Sequence, residues 1–376
     1  MTATLIDKPD GGPQAASALR APHAPDALQK LWYTRCPVPT ALGIAVHRGW
    51  FDDEFGAEGI TLGSLQEIDA ADKRESHFDH SLPHSFRQGG NIPALWARSR
   101  GARTRVIGLS WTNEFQAIIT RRDSGIARPA ELRGRRLGLP RHDISIDFWR
   151  AAALKGFLSA LEFDGLGYAD AEWIDLPEPA GRRGAHLPRG RREGQATTLA
   201  ELGPHEYALE VAALLRGEVD AVFVKGVAGL ATVHLIDAHV VVDLGSHPDP
   251  LVRIGNGTPR TLTVDQALLD ARPDLVQRFL GVVVNAGEWA TRNPGPTVAY
   301  IGRETRASEE WVRYAYGAEV NRHLETNLAQ TSIDGLVAFK DFLFEWGFLE
   351  HDFDARAWID TEPLQQVHGG RHARGR

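Results

Sequence analysis

The chain has 376 residues, a hydrophobic content of 43% and a charged content of 24%. This length suits two domains, and the composition is that of an ordinary globular protein. The formal net charge of −7 argues against general binding to nucleic acids or membrane surfaces, and the single cysteine excludes an internal disulfide framework and a cysteine-based zinc site. There are fifteen histidines, but no HExxH motif and no histidine pair at a known metal spacing, so no metal is predicted.

Residues 1–30 predict a disordered leader. They contain several prolines and three aspartates but no apolar core of the kind that a secretory signal needs. No later stretch is long and apolar enough to predict a membrane span. We therefore expect a cytoplasmic protein whose one thiol stays free.

The first predicted elements surround that thiol. Residues 31–33 form a short apolar run typical of a strand, and residues 41–50 have apolar side chains at helical spacing. Cys36 lies between them, in a turn restricted by Pro37 and Pro39. Ligands of open α/β sheets bind at the carboxyl ends of strands, where a helix N-terminus also favours anions and thiolates. A lone cysteine is also commonly a small buried hydrophobe, so position alone leaves both interpretations open.

Further strands and helices alternate along the chain. Strands are predicted at 60–62, 104–109 and 115–120, and a helix is predicted from Pro93 to about residue 99. A second series follows, with strands near 135–139, 171–176, 219–224 and 240–244 and helices at 148–161 and 209–215. Residues 177–195 are rich in arginine, glycine and proline, and they predict an exposed loop with a solvated basic run at 182–192. After a strand at 261–264, the last third is mostly helical.

This alternation predicts an α/β protein with mainly parallel sheets. The chain leaves one strand-rich zone, builds a second and returns, which predicts two lobes and a central cleft. We expect residues 31–122 and 246–376 to form the first lobe, and residues 123–245 to form the second.

Four segments resemble the type II periplasmic-binding-protein superfamily, in its sulfonate, nitrate and taurine-binding branch. They are AVHRGWFDDEFGAEGITL, PAELRGRRLGL, LLRGEVDAVFV and ARPDLVQRFLGVVVNAGEWATRNP. The resemblance implies the two-lobed fold of substrate-binding proteins of ABC transporters. It covers most of the chain, but it does not specify an activity.

A narrower resemblance links the chain to the 2'-hydroxybiphenyl-2-sulfinate desulfinase family. It depends on YTRCPVPTAL, on the dipeptide HF at His77 and on RQGGNIPAL from Arg87. This family hydrolyses an aryl sulfinate to an arene and sulfite in the cytoplasm without a cofactor. The resemblance implies catalytic roles for Cys36, His77 and Arg87, and a backbone N–H at Gly90 that holds the sulfinate. Residues 79–86 do not match the family one by one, so the aryl group of the substrate can differ.

The chemistry of these residue types fits an anionic sulfur group. The Arg87 guanidinium can pair with two sulfinate oxygens, and a backbone N–H beside Gly89 and Gly90 can bind a further lone pair. Cys36 can act as a nucleophilic thiolate or as a proton donor to the ring carbon, with His77 assisting in either case. Each residue also has an ordinary interpretation: a surface salt bridge for the arginine, a helix-entry turn for the glycines and a cleft histidine for His77.

His47 and His80 are the reserve candidates for the histidine role. Aromatic side chains in the first half of the chain could line an aryl pocket, although most of them are expected to be core. Those considered are Trp32, Tyr33, Phe78, Phe86, Trp111, Phe115 and Trp149, with Phe78 and Tyr33 preferred.

Three functions compete. The first is a cofactor-free carbon–sulfur hydrolase that acts on an aromatic sulfinate, as a monomer without nucleic-acid or membrane partners. The second is a non-catalytic substrate-binding protein of an ABC transporter for a sulfonate-type or aromatic anion. The third is a sensor or a thiamine-pyrimidine-type biosynthetic protein, which commonly carries clustered cysteines or histidines that this chain lacks. The thiol at position 36 favours the first function.

Overall fold

The computed structural model describes residues 28–67, 71–178 and 206–374. Nearly all of the predicted leader and the whole basic run at 182–192 lie outside the described residues. No helix in the described part of the chain is long and apolar enough to cross a membrane.

The described chain alternates strands and helices, as its sequence predicts. The strands are β1 (Lys30–Arg35), β2 (Thr61–Ser64), β3 (Ser85–Gly89), β4 (Thr104–Ser110), β5 (Gln116–Thr120), β6 (Arg136–Arg141), β7 (Glu172–Pro177), β8 (Ala221–Lys225), β9 (His239–Asp243) and β10 (Arg260–Asp265). The helices are α1 (Ala41–His47), α2 (Trp50–Phe55), α3 (Ala71–Asp79), α4 (Asn91–Ser99), α5 (Phe148–Glu162), α6 (Ala208–Leu215), α7 (Gly226–Leu235), α8 (Gln266–Ala271), α9 (Pro273–Arg292), α10 (Pro294–Thr305), α11 (Glu309–Tyr316), α12 (Gln330–Glu345), α13 (Ala355–Trp358) and α14 (Glu362–Arg374).

The first helix shows how local sequence sets these bounds. The Thr40 hydroxyl accepts a hydrogen bond from the Gly43 N–H, at 3.1 Å, and so caps the N-terminus of α1. Gly49 has a φ of 72°, in the left-handed region that favours glycine, and it separates α1 from α2. The helix predicted over residues 41–50 is therefore two short helices.

The strands form two five-stranded sheets, in the orders β2-β1-β3-β10-β4 and β7-β6-β8-β5-β9. We call each sheet with its helices a lobe. The chain passes from the first lobe to the second between β4 and β5, and it returns between β9 and β10. The predicted boundary after residue 122 left β5 in the first lobe, whereas β5 pairs with β8 and β9 of the second sheet. The other predicted lobe bounds stay predictions.

In each described sheet, four of the five strands run in one direction and one strand is reversed. In the first sheet, β1 is parallel to β2 and β3, whereas β10 is antiparallel to β3 and β4. In the second, β6 is parallel to β7 and β8, whereas β5 is antiparallel to β8 and β9. The reversed strands are the ones on which the chain enters the second lobe and returns to the first. The prediction of mainly parallel sheets is therefore confirmed. The one reversed strand of each sheet has no local sequence signal, because strand direction depends on where the chain crosses.

The helices that follow β1 and β3 cover opposite faces of the first sheet. Residues of α1 share a core with Phe86, Leu262 and α9, whereas residues of α4 share another core with Val106 and Leu109. A crevice therefore opens between the carboxyl ends of β1 and β3, where the winding of the chain changes direction. In open α/β sheets this is the place where ligands bind.

Candidate active site

Cys36 lies in this crevice, directly after β1. Its backbone N–H donates a hydrogen bond to the Gln88 carbonyl, at 3.3 Å, and its carbonyl accepts one from the Val38 N–H, at 2.8 Å. These two bonds hold the residue beside the end of β3. The side chain is half-buried, so the thiol borders the crevice and is still reachable from solvent.

His77, in the last turn of α3, lies beside this thiol and is only 6% exposed. One ring nitrogen, Nδ1, is 2.7 Å from the Thr34 hydroxyl oxygen, and the other, Nε2, is 3.9 Å from the Cys36 Sγ. The imidazole therefore lies between the Thr34 hydroxyl, which is on β1, and the Cys36 thiol, which directly follows β1.

The ring of His77 is neutral at physiological pH. Burial, and then the charge of Arg87, hold the pKa of His77 well below its usual value near 6.5. A neutral imidazole carries a single proton. If Nδ1 carries it and donates to Thr34, Nε2 presents a lone pair to Cys36 and can accept the thiol proton.

Arg87, on β3, completes the cluster and is 2% exposed. Its Nε donates to the His77 carbonyl at 3.0 Å, and its Nη1 donates to the Gly90 carbonyl at 2.8 Å. Its Nη2 is 4.0 Å from the Cys36 Sγ. The sequence predicts that Arg87 pairs with an anion through two of its N–H groups. Because backbone carbonyls already accept from Nε and Nη1, Nη2 is the nitrogen that remains for an anion.

The charge on Arg87 has no carboxylate partner within the described ranges. Burial lowers the pKa of Arg87, and the neighbouring Cys36 sulfur opposes that shift. A buried guanidinium that is bound only to neutral carbonyls is costly unless an anion approaches it. The cluster is therefore electrostatically suited to an anionic ligand next to the thiol.

Gly89 and Gly90 bring the backbone close to the thiol. A Cβ at Gly89 would lie 2.5 Å from the Cys36 Sγ, so a larger residue would displace the sulfur. At the start of α4, the Asn256 carbonyl accepts from the Asn91 N–H at 2.8 Å, and its side-chain oxygen accepts from the Ile92 N–H at 3.1 Å. The Gly90 N–H has no acceptor among the described residues, which leaves it as the free donor at this helix end.

Two aromatic rings extend the cluster toward the second lobe. Phe78 meets His77 edge to face, with ring centroids 4.9 Å apart, and it faces Phe148 of α5 at 6.4 Å with an interplanar angle of 20°. Phe148 in turn stacks on Trp149 at 3.9 Å. The rings from His77 to Trp149 thus form one aromatic wall across both lobes.

Other predicted site residues lie elsewhere. Tyr33 points to the opposite face of β1 from Thr34 and belongs to the first-lobe core, because side chains alternate along a strand. Phe86 stacks on Phe279 in that same core, at 3.6 Å. His47 is exposed, with Nε2 2.6 Å from Nη2 of Arg303.

His80, by contrast, lies near the cluster. Burial, followed by the charges of Arg87 and His77, holds its pKa well below the usual value. The structure therefore brings together Cys36, His77, Arg87 and their glycines, with His80 close by.

Thr34 was not predicted from the sequence. A signal for it exists, because residues two apart on a strand share a face, and Thr34 is two residues before Cys36. Asn256 carries no such signal, since it comes from a distant loop. Within the described residues, no group of three or more histidine, cysteine, aspartate or glutamate side chains is placed to hold a metal ion.

Several known proteins are similar to this chain over nearly its whole length. The chain is 28% identical to the 2'-hydroxybiphenyl-2-sulfinate desulfinases of Rhodococcus erythropolis and Rhodococcus qingshengii over 380 aligned residues, covering 96% of this chain and 97% of each relative. A family model described as NMT1/THI5 like matches residues 37–154, a range that begins directly after Cys36.

Solved structures show a similarity to the same kind of enzyme. The crystal structure of the desulfurization enzyme DszB superposes with a TM-score of 0.70 at 27% identity, covering 92% of this chain and 99% of the other. A cysteine-to-serine mutant of DszB in complex with biphenyl-2-sulfinic acid also gives 0.70, at 26% identity and with coverage of 91% and 99%. The periplasmic aliphatic sulphonate-binding protein SsuA from Escherichia coli gives 0.62 at 14% identity, with coverage of 89% and 93%, which bears on the fold alone.

The predicted resemblance is therefore confirmed. The chain is similar to 2'-hydroxybiphenyl-2-sulfinate desulfinases along nearly its whole length. It has the two-lobed α/β fold of type II periplasmic-binding proteins, with a central cleft.

Proposed function

We propose that this protein is a desulfinase that hydrolyses the carbon–sulfur bond of an aromatic sulfinate and releases sulfite. One observation carries the proposal: the Cys36 Sγ lies 3.9 Å from the His77 Nε2 and 4.0 Å from the Arg87 Nη2. In the overall reaction, the arene sulfinate and one water molecule give the arene and hydrogensulfite. Similarity to the desulfinases supports this choice of chemistry.

The sulfinate group binds between Arg87 and Gly90 in this proposal. The Nη2 group of Arg87 and the free N–H of Gly90 each donate to a sulfinate oxygen, and the negative charge offsets the buried guanidinium. The sulfur is then held beside the Cys36 thiol. Since Arg87 is fixed by two backbone carbonyls, this arrangement exists before the substrate arrives.

Two routes for bond cleavage remain open for Cys36. As a thiolate, after His77 accepts its proton, it attacks the sulfinate sulfur. The ring carbon leaves and takes up that proton, and water then hydrolyses the enzyme–sulfur bond to regenerate the thiol and release hydrogensulfite. As a thiol, Cys36 instead protonates the ring carbon while sulfur dioxide departs. Water converts the sulfur dioxide to hydrogensulfite, and the proton so released restores the thiol.

The aromatic wall supplies the surface for the substrate ring. Phe78 and Phe148 are nearly parallel, with centroids 6.4 Å apart. A ring inserted between two others needs about 7 Å, twice an ordinary contact of 3.5 Å. Phe78 is buried in a core against which Phe148 packs, so a substrate ring next to His77 requires these two rings to move apart. The reaction consumes only water, so we propose no cofactor. Cytoplasmic location and a monomeric state stay predictions.

A non-catalytic binding protein for sulfonate-type or aromatic anions is the second candidate, because sulfonate-binding proteins share the fold. Binding and turnover by wild type and Cys36→Ser separate the two. A desulfinase turns biphenyl-2-sulfinate over, whereas its Cys36→Ser variant binds the compound without releasing sulfite. A binding protein holds the compound equally well in both forms and releases sulfite in neither.

A further inference from the structure

The N-terminus of α4 has three backbone N–H groups without partners inside the helix. A helix leaves four such groups, which here belong to Gly90, Asn91, Ile92 and Pro93, and the proline has no N–H. Asn256 accepts from Asn91 with its backbone carbonyl, at 2.8 Å, and from Ile92 with its side-chain oxygen, at 3.1 Å. One loop residue therefore takes up every N–H of this helix end except that of Gly90.

The contact with Ile92 fixes the orientation of the Asn256 amide. Only an oxygen can accept from the Ile92 N–H, so the amide oxygen faces α4 and the amide nitrogen, Nδ2, points away from it. Within the part of the chain that the structure describes, Nδ2 has no acceptor, and it remains open to solvent because Asn256 is only half-buried. Asn256 thus presents an unused N–H donor.

This donor lies beside Gly90, whose own N–H is free. A Cβ built on Gly90 would lie 2.7 Å from the Asn256 Nδ2. Since that Cβ would stand about 2.5 Å from the Gly90 nitrogen, the two donor nitrogens are at most about 5 Å apart. Each donor needs an acceptor at about 2.9 Å, so two donors at this separation can bind two oxygens of one sulfur anion.

The loop that carries Asn256 lies at the same sheet edge as Cys36. β10 is antiparallel to β3, and its start pairs with the end of β3. The loop before β10 therefore enters the sheet where β1 and β3 end. The Asn91 side chain holds this loop, donating to the carbonyls of Gly255 and Pro259 at 2.9 Å each. The Asn256 donor is thus fixed in place before a ligand arrives.

The proposed reaction raises the number of oxygens on sulfur from two to three. The two sulfinate oxygens bind the Arg87 Nη2 and the Gly90 N–H. The third oxygen comes from water in either of the two Cys36 routes, and hydrogensulfite carries all three. A third oxygen needs a further donor close to these two, and the Asn256 Nδ2 lies next to Gly90.

We propose that the Asn256 amide binds the third oxygen on sulfur. It donates to the oxygen that water contributes, and then to hydrogensulfite until the product leaves. This assignment rests on the proposed function. The same donor gives the site affinity for anions with three oxygens on sulfur, such as an arene sulfonate, so Asn256 sets the preference between sulfonates and sulfinates.

Two ligands with the same arene test this role without turnover. Biphenyl-2-sulfinate has two oxygens on sulfur and biphenyl-2-sulfonate has three, and both are monoanions at neutral pH. Calorimetry on Cys36→Ser gives both Kd values. Adding Asn256→Leu, which keeps the branched shape but has no donor, should raise the Kd of the sulfonate by roughly 10- to 100-fold, the loss expected for a hydrogen bond to a charged group. The Kd of the sulfinate should change by less than about threefold.

Asn256→Asp decides if the leucine variant fails to fold. Its carboxylate still accepts from the Ile92 N–H but donates nothing. Its charge weakens the binding of both monoanions, so the sulfonate-to-sulfinate ratio of the Kd values is the quantity that should rise by roughly 10- to 100-fold.

Asn327→Leu is the matched control. The Asn327 side-chain oxygen likewise accepts from an N–H at a helix start, that of Ala329 at 3.0 Å, and the residue lies beyond β4 at the far edge of the sheet. This substitution should leave both Kd values unchanged.

A ratio of Kd values that is the same with and without the Asn256 substitution would overturn the proposal, and so would a Cys36→Ser variant that does not bind the sulfonate. In the active enzyme, Asn256→Leu should raise the inhibition constant of sulfite by roughly tenfold or more and leave the KM of the sulfinate nearly unchanged. An unchanged inhibition constant would also refute it. A wild type that releases no sulfite would defeat the proposed function alone, because neither Kd depends on cleavage.

Discussion

The Thr34 hydroxyl lies 2.7 Å from the His77 Nδ1, and this contact turns the opposite ring nitrogen, Nε2, toward Cys36. Both partners are buried, so the contact is protected from competing water. Thr34 acts on the thiol only through the imidazole, and it is therefore a positioning residue.

Removing this hydroxyl should slow catalysis. In Thr34→Val, His77 loses the partner that sets its orientation, so we expect kcat to fall about tenfold or more, in line with a lost buried hydrogen bond. KM should change little, because Thr34 lies behind the ring. Steady-state kinetics on biphenyl-2-sulfinate check this. Thr34→Ser restores the hydroxyl and should recover most of kcat; equal losses in both variants would contradict the positioning role.

Gly89 should tolerate no side chain. A Cβ there would lie 2.5 Å from the Cys36 Sγ, so Gly89→Ala must push the sulfur away from His77 and Arg87. We expect sulfite release to fall at least 100-fold, as for a misplaced reacting group. Gly281→Ala is the matched control, because its Cβ would meet nothing within 4 Å and its helix should gain up to about 1 kcal/mol. Full activity in Gly89→Ala would show that the sulfur position is not critical.

Arg87→Lys should damage both binding and folding. A lysine cannot reproduce the two hydrogen bonds from Nε and Nη1 to backbone carbonyls while also facing the thiol. We expect the free energy of unfolding to drop by about 3 kcal/mol and KM to rise, as measured by urea unfolding and by kinetics. Arg100→Lys, at an exposed ion pair with Glu350, should change both quantities little. Equal effects of the two substitutions would contradict the anion-binding role.

Acidification should destabilise the protein partly through His77. The unfolded imidazole takes up a proton below about pH 6.5, whereas the folded one stays neutral until well below that pH. Between these limits the unfolded state binds more protons, so the free energy of unfolding falls with decreasing pH, by up to about 1.4 kcal/mol per pH unit for this group.

Urea unfolding from pH 7.5 to about pH 5 measures that slope. His77→Asn should flatten it relative to the wild type, and His351→Asn, which changes an exposed histidine, should leave it unaltered. His80 shifts in the same direction and keeps part of the slope in the variant. A wild-type slope in His77→Asn would mean that His77 does not carry the effect.

The sequence predicts the main parts of the site partly from local signals and partly from family resemblance. Cys36 is marked by a strand before it and a helix after it, whereas Arg87 and Gly90 are implied by the resemblance of RQGGNIPAL to the desulfinase family. The prediction that Tyr33 binds substrate is wrong, because strand alternation puts Tyr33 on the face away from Thr34 and Cys36. That alternation is itself readable from the sequence.

Other features depend on contacts between distant segments. β3 is short, polar and ends in glycine, so nothing local identifies it as the central strand beside Cys36. Asn256 reaches Gly90 from the second crossing, and Glu114 meets Arg260 from the first. The reversed direction of β5 and β10 likewise follows from where the chain crosses between lobes. These contacts join segments that are distant in sequence, and no periodic pattern in the sequence indicates them.

The central claim is that Cys36 is required for cleavage of a carbon–sulfur bond. Its most direct test measures arene and sulfite together, after the wild type and Cys36→Ser are each incubated with biphenyl-2-sulfinate. The account predicts biphenyl and sulfite in equal amounts from the wild type, and neither from the folded serine variant. Sulfite release that survives Cys36→Ser would contradict it, and so would a wild type that binds the sulfinate but forms no products.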